Sequence, residues 1–292
     1  MRLALIGVGL IGGSAAAAFR AAGVLGDRGE VVGVDADPHA SAAGVRLGVL
    51  DRAAGTIGQA VQGADLVLLA VPVGAMRAVL AEVALHLAPH AVVTDVGSTK
   101  RSVIEAARAT LGQALPRFVP AHPIAGGELP GVAHADAGLF RGKRLITTAR
   151  AETDAGALAQ VESLWAATGA DVIRMDADEH DRIFAAVSHL PHLLSFALVA
   201  QIAGERDGTR KLGFAGGGFR DFTRIAASSP VMWRDIALAN RAALSAELAG
   251  YRAMLDSLQQ AIDAGDGARL AQVFDLASRT RRATGSRGAD SE

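Results

Sequence analysis

The chain has 292 residues, half of them hydrophobic, enough for one large domain or two ordinary ones with a full core. Its 29 basic and 30 acidic side chains leave a net charge of -1, so nothing in its electrostatics favours nucleic acid or an anionic membrane as a partner. It contains no cysteine, which excludes a disulfide framework, a thiolate metal site and a cysteine nucleophile.

The first patterned stretch is Leu3–Ser14, LALIGVGLIGGS. Arg2 followed by apolar and then small residues has the outline of a secretory signal, but the glycine spacing and the immediate alternation of strands and helices argue against one. Leu3–Ile6 reads as a buried strand and the Ala-rich Ser14–Ala22 as a helix. Between them Gly7, Gly9 and Gly12 give G-x-G-x-x-G: a tight turn, a close backbone approach to a pyrophosphate, and close helix–strand packing. The helix start would aim its unpaired N–H groups at the phosphates. A second strand, Glu30–Val34, ends in Asp35, whose carboxylate suits a ribose 2′-OH and repels a 2′-phosphate. A purely structural turn is the competing reading of the glycines. The combination predicts an NAD site, with NADP disfavoured. Its candidate contacts are Gly7, Gly9, Leu10, Ile11 and Gly12 in the turn, Asp35, and Val71 and Pro72 after the third strand.

Further apolar runs at Leu66–Ala70, Ala91–Asp95, Phe118–Ala121, Arg144–Thr148 and Asp171–Arg174 alternate with helical patterns such as Met76–Leu87 and Lys100–Leu111. The runs are almost continuously apolar, as strands covered on both faces are, and the alternation predicts an α/β doubly wound sheet over residues 1–175. Ligands of such sheets bind outside the carboxyl ends of the strands, where Gly7, Asp35, Pro72 and Ser98 would fall.

After Met175 the strand pattern stops. Asp176, Asp178, Glu179 and Asp181 crowd the start of a long helix, as suits its positive end. Its apolar face, Ile183, Val187, Leu190, Leu194, Leu198 and Ile202, is interrupted by Pro191, which should kink it. The same stretch is the longest apolar one, and His189, Pro191 and His192 disqualify it as a membrane span. A glycine-rich loop, Gly213–Gly218, precedes the helical patterns Asp221–Ala227, Val231–Ala239, Leu244–Ala264 and Ala268–Arg281. Residues 176–283 therefore read as all-α, with apolar faces broad enough to bury against a second copy, and residues 284–292 as a disordered polar tail. A cytoplasmic homodimer is expected.

Four stretches could carry chemistry. In TDVGSTK, Thr94–Lys100, Ser98 would either cap the following helix or turn its hydroxyl toward a nicotinamide. In AHPIAGGE, Ala121–Glu128, His122 ends a strand on the ligand side, where it would either accept a proton from an alcohol or be satisfied by backbone. Glu128 would orient it, pair with an arginine, or be a solvated loop charge. In SHLPH, Ser188–His192, the two histidines share a helix face. No third ligand has suitable spacing, so no metal is expected; one histidine would pack and the other meet a ligand carboxylate. In GFRDFTRIAASSPVMWRD, Gly218–Asp235, Arg224 offers a fork for a carboxylate or an intrahelical partner for Asp221, and Trp233 is a candidate core residue. His39, His86, His90, His134 and His180 sit in polar or loop contexts and read as surface residues.

These segments, in this order, resemble the prephenate/arogenate (cyclohexadienyl) dehydrogenase family of tyrosine biosynthesis, from Leu3 to about Arg281. GVGLIGGS is shared with many dehydrogenases, whereas HPIAGGE together with RDFTRIAASSPVMW is specific. The resemblance implies a Rossmann-type domain, an all-α dimerisation domain and NAD-dependent oxidative decarboxylation of prephenate to 4-hydroxyphenylpyruvate, or of arogenate to tyrosine. It implies that His122 accepts the proton of the ring hydroxyl, assisted by Ser98. Arg224 would bind the ring carboxylate, His192 would lie near the substrate side chain, and Asp221, Glu128 and Trp233 would close and order the pocket. Gly127 departs from the pattern, since many members carry a hydroxyl residue there, and prephenate versus arogenate preference stays open. Two rivals remain. A hydroxy-acid or imine oxidoreductase would want a substrate-domain lysine, for which only Lys211 in the glycine-rich region is on offer. A non-catalytic NAD sensor would need none of His122, Ser98 and Arg224.

Overall fold

The computed structural model describes residues 1–127 and 129–289, with side chains through residue 284. Its strands are β1 (Arg2–Ile6), β2 (Glu30–Val34), β3 (Arg52–Ala53), β4 (Leu66–Leu69), β5 (Val92–Asp95), β6 (Phe118–Val119), β7 (Ala121–Pro123), β8 (Arg144–Thr147) and β9 (Asp171–Arg174). Its α-helices are α1 (Leu10–Ala21), α2 (Pro38–Arg46), α3 (Ile57–Val61), α4 (Met76–Ala84), α5 (Arg101–Thr110), α6 (Ala155–Ala167), α7 (Ala177–Phe184), α8 (Leu190–Ala203), α9 (Gly208–Gly213), α10 (Gly217–Thr223), α11 (Pro230–Ala239), α12 (Arg241–Asp263) and α13 (Gly267–Ala289).

Six parallel strands run in the order β3-β2-β1-β4-β5-β6, so the chain reverses its direction of travel between β1 and β4. The alternation of side chains along β1 divides the core. Leu3 and Leu5 join Phe19, Phe140 and Trp165 on one face, while Ala4 and Ile6 join Met76, Leu80 and Val83 on the other. Phe19 and Phe140 meet Trp165 edge-on, with ring centroids 5.0 and 4.9 Å away.

The expected strand Phe118–Ala121 is two strands. Pro120 lacks the N–H a continuous ladder needs, so the sheet stops at Val119 and the chain restarts in a second, three-stranded sheet, β7-β8-β9. There β7 pairs antiparallel with β8, opposing His122 to Ile146. His122 is therefore central in a short strand of its own sheet, not the last residue of a strand in the main one. The two-residue β3 is too short to carry a pattern and has no counterpart in the sequence reading.

By compactness the chain forms two units, Met1–Arg241 and Ala242–Glu292. This division lies well after the composition shift at Met175, because α7 to α11 belong to the unit that holds the sheets. Ala177–Ala203 is helical throughout. The interruption that Pro191 predicts takes the form of a wide π turn at Ala185–His189, which relieves the clash of the proline ring with a carbonyl four residues back. By length and composition this segment could cross a membrane, contrary to the sequence reading. It carries His180 and Asp181, both buried and hydrogen-bonded, and buried His189.

Two further expectations change. Gly217 and Gly218 belong to α10, and Lys211 lies in α9, paired with Glu205 and Asp207, so the glycine-rich loop shrinks to residues 214–216. The second unit consists of α12 and α13, and α13 continues to Ala289, so residues 284–289 are helical where a disordered tail was expected. Residues 290–292 lie outside the described residues.

Candidate active site

The carboxyl ends of β1 and β4 form a cradle. Gly7 has φ +98°, and a Cβ there would lie 2.3 Å from the Ala70 carbonyl oxygen. A Cβ on Gly12 would lie 2.3 Å from the Gly7 oxygen and 2.8 Å from the Ala70 Cβ, so helix and strand touch where the glycine spacing predicts. A Cβ on Gly9 would meet nothing within 4 Å. Gly9 thus borders open space at the start of α1, which has no side-chain cap to satisfy its first amides. Asp35 stands beside this turn, Oδ2 accepting from the Val8 amide at 2.6 Å and Oδ1 from the Asp37 amide at 2.9 Å. Each oxygen retains a lone pair for a ribose hydroxyl. Val71 is partly buried and Pro72 exposed at the far lip of the cradle. The turn, the uncapped helix start and the acidic residue fit a dinucleotide.

A buried polar network lies beyond the cradle. Lys100, fully buried, donates to Asp95 Oδ2 at 2.5 Å and to the Ala121 carbonyl at 2.6 Å, tying the end of β5 to the start of β7. Asp95 also accepts the amides of Gly97 and Ala121, at 2.7 and 3.1 Å. Ser98, partly buried, sits in this turn. It does not cap α5: the amides of Lys100 and Arg101 go instead to Asp181 Oδ1 and Oδ2, at 2.8 and 3.0 Å, so a carboxylate from α7 caps the neighbouring helix. Asp181 was expected at the positive end of its own helix, a task that falls to Asp176 as N-cap.

His180, read from sequence as a surface residue, is fully buried. Its Nδ1 lies 2.8 Å from Asp181 Oδ1, and its Nε2 lies 2.8 Å from His122 Nδ1. Phe184 packs on both rings, with centroids 5.1 Å from His122 and 4.6 Å from His180. Burial, then the nearby His180, Lys100 and His189, push the His122 pKa well below its ordinary value. His180 is also lowered, by burial against the opposing pull of Asp181. Burial alone would raise the Asp181 carboxyl, but hydrogen bonds from His180 and from the Lys100 and Arg101 amides outweigh it and hold it low. His39, His86, His90 and His134 are exposed, as expected.

His189 and His192 part company. His189 is buried, bonded to Asn240 Nδ2 at 3.1 Å and to the Ser98 carbonyl, with its pKa pushed down to about 4, chiefly by burial. The same Asn240 amide group donates to the Asp181 carbonyl at 2.7 Å. His192 lines a cavity of about 520 Å³ with Gly126, Gly127, Arg224, Ile225, Ala227 and Ser228. Its Nδ1 bonds to the Ser188 carbonyl at 2.9 Å, and its ring stacks on Trp233 at 3.6 Å. Its pKa is lowered, first by burial and then by the Arg224 charge. Trp233 is only partly buried and lies stacked on His192, so it is not a core residue. Arg224 opens a 3₁₀ turn, Arg224–Ala227, and Asp221 is exposed on α10. Glu128 lies outside the described residues.

The structure therefore gathers His122 with His180 and Asp181, and His192 with Arg224 and Trp233. Asn240 and His189 link the two groups, since His189 also meets the edge of Trp233 at 6.1 Å. His180, Asp181 and Asn240 escaped the sequence reading. An acid–histidine neighbour pair in a helix that also carries SHLPH was the only available signal for the first two, and its acidic surroundings hid it.

Comparisons with known proteins agree with this architecture. Residues 16–174 match the family model described as prephenate dehydrogenase, nucleotide-binding domain, and residues 176–276 the one described as prephenate dehydrogenase, dimerization domain. A cyclohexadienyl dehydrogenase of Zymomonas mobilis is 38% identical, over 96% of this chain and 95% of its own. A crystal structure of prephenate dehydrogenase from A. aeolicus, in complex with hydroxyphenyl propionate and NAD+, superimposes with TM-score 0.89 at 34% identity, over 97% of this chain and 98% of that one. Synechocystis arogenate dehydrogenase gives TM-score 0.79 at 29% identity, over 97% and 100% of the two chains. A parallel dinucleotide-type sheet, a helical second half and sequence identity across nearly the whole length agree: this chain belongs to the prephenate dehydrogenase family and is a dehydrogenase of that kind.

Proposed function

We propose that this protein catalyses the oxidative decarboxylation of prephenate to 4-hydroxyphenylpyruvate, with NAD as cofactor. The observation that carries the reading is the cavity in which Arg224 and His192 face Gly126 and Gly127, a few residues along the loop from His122. Its volume suits one small ligand, and its charged member among the described lining residues is a cation, as a dicarboxylate requires.

NAD, when bound, accepts the hydride. The protein's own tasks are then few. Gly7–Gly12 and Asp35 hold the dinucleotide, with Leu10, Ile11, Val71 and Pro72 as its apolar neighbours. Arg224 grips a substrate carboxylate, and His192 lies by the side-chain end. By the family resemblance Asp221, Glu128 and Trp233 would help to close and order the pocket. His122 Nε2 takes the proton of the ring hydroxyl as hydride leaves the same carbon, and Ser98 steadies that hydroxyl. The bond to the ring carboxylate then breaks, its electron pair enters the ring, and carbon dioxide departs as the ring becomes aromatic.

A second reading, a cyclohexadienyl dehydrogenase accepting arogenate as well, is favoured by the name of the 38% identical Zymomonas relative. Gly127 bears on the choice, since a Cβ there would come 3.2 Å from Leu10 Cδ2, and the side chain that many members carry is missing. Exposed Phe214, Val187 and Leu238 in the helical half support a homodimer, with residues 1–175 binding the dinucleotide and 176–283 the substrate and partner. The protein is read as cytoplasmic. The test is reduction of NAD followed by absorbance with prephenate and with arogenate in parallel. Turnover of prephenate alone supports the first reading, and comparable turnover of both the second. No signal with either overturns both.

A further inference from the structure

The buried histidine behind His122 has no role in the chemistry described so far, yet its hydrogen bonds have only one consistent arrangement. Asp181 is anchored by two backbone amides, one on each oxygen, and is ionised, so toward His180 it can only accept. His180 Nδ1 must then carry a hydrogen. Burial keeps His180 neutral, so its Nε2 is bare and accepts from His122 Nδ1 at 2.8 Å. His122 in turn carries its hydrogen on Nδ1. We propose that His180, oriented by Asp181, is a positioning residue that holds His122 in the one tautomer whose Nε2 lone pair can receive a proton.

The alternative tautomer would present an N–H where the reaction needs an acceptor. In free imidazole the two tautomers interconvert readily, so the direction of the chain of donors decides how much of the enzyme is competent. Other charged or titratable groups facing His122 are Lys100 at the start of α5 and His189 in the π turn. Lys100 spends its donors on Asp95 and the Ala121 carbonyl, and His189 is bonded to Asn240 and Ser98, so neither competes for His122 Nδ1 among the described contacts. Phe184 packs against both rings and keeps them from rotating out of line.

The inference rests on His122 being the proton acceptor of the proposed reaction, and its test separates the two claims. Nitrogen-15 NMR of the histidine rings, with His122→Asn used to assign the His122 signals, reads the tautomer without any substrate. The wild type should show His122 protonated at Nδ1 with Nε2 bare. His180→Phe keeps the ring packing and removes the acceptor, and should give a mixture of tautomers. His180→Gln offers a side-chain oxygen to His122 and should restore the single form. In turnover, His180→Phe should lower kcat by roughly tenfold or more, with KM within about threefold. His180→Gln should recover most of that loss. A wild-type His122 protonated at Nε2, or an unchanged tautomer in His180→Phe, overturns the inference whatever the substrate proves to be. So does a kcat within about threefold of wild type in His180→Phe. Absence of turnover by the wild type on either substrate instead overturns the proposed reaction and leaves the tautomer result standing.

Discussion

The imidazole of His192 lies flat against the indole of Trp233, ring centroids 3.6 Å apart and planes inclined by 19°. The stack covers one face of a histidine that shares its cavity with Arg224, and both burial and that charge keep the ring neutral. Trp233→Ala should therefore raise the His192 pKa toward its ordinary value, and Trp233→Phe should preserve most of the depression. Titration of the His192 ring by NMR checks this. An unchanged pKa in Trp233→Ala would mean that the stack does not set the local environment.

The two clusters should fail differently. Arg224→Ala removes a charge-assisted grip on a carboxylate and should raise KM by roughly 10–100-fold while kcat changes little. His122→Asn removes the proton acceptor and should lower kcat by about 10²–10⁴ with KM nearly preserved. Steady-state kinetics of both variants decide the matter, and the opposite pattern would mean the roles are exchanged.

Cofactor choice hangs on Asp35. Replacing it by alanine removes the ribose acceptor and the charge that repels a 2′-phosphate. KM for NAD should rise by roughly tenfold or more, and discrimination against NADP should fall. The substitution also strands the Val8 and Asp37 amides, so some loss of thermal stability accompanies it. Unaltered NAD/NADP preference would remove Asp35 from the ribose.

Lys100 and Asp95 form an ion pair with both side chains fully buried. Lys100→Met leaves a buried carboxylate without its counter-charge and should cost about 3–5 kcal/mol in denaturant unfolding. The double variant Lys100→Met/Asp95→Asn should recover part of this, since Asn can still accept one of the amides that Asp95 holds. A near-neutral single variant would show that water reaches the pair.

Acid should weaken the fold before it protonates most surface carboxylates. The His189 pKa falls from 6.5 to about 4 on folding, so between those values the unfolded chain binds more protons than the native one. Stability is then full above pH 6.5, declines as pH falls and levels off below about 4, a loss of about 3 kcal/mol from this residue. His122 and His180 are shifted in the same direction and steepen the decline, and the depressed Asp181 carboxyl adds to it at lower pH. Urea unfolding across this range should show it. His189→Asn should flatten the slope by up to one proton.

The local pattern carried the dinucleotide half far. Gly7, Gly9, Gly12 and Asp35 were legible because each answers a short-range demand, a turn, an approach, a contact or a strand end, that fixes residue type at fixed spacing. Strand β4 was legible because both its faces are covered. Pro120 shows the limit: its missing N–H was visible, but whether the chain would end a sheet or start another depends on β8, which lies about twenty-five residues further on.

From sequence alone came the α/β class, the nucleotide cradle, the helical second half and the expectation that one histidine of SHLPH packs while the other faces a ligand; the structure buries His189 and puts His192 on the cavity. Tertiary structure alone decided that Asp181 caps α5 instead of its own helix, that His180 is buried behind His122, and that Asn240 joins both groups. The reason is physical. A cap, a strand or a glycine turn is satisfied by neighbours in the chain, and so leaves a local trace. A hydrogen bond between residues 58 or 81 positions apart leaves none, because the sequence of α7 is equally compatible with a solvated acidic helix until β7 and α5 are laid against it.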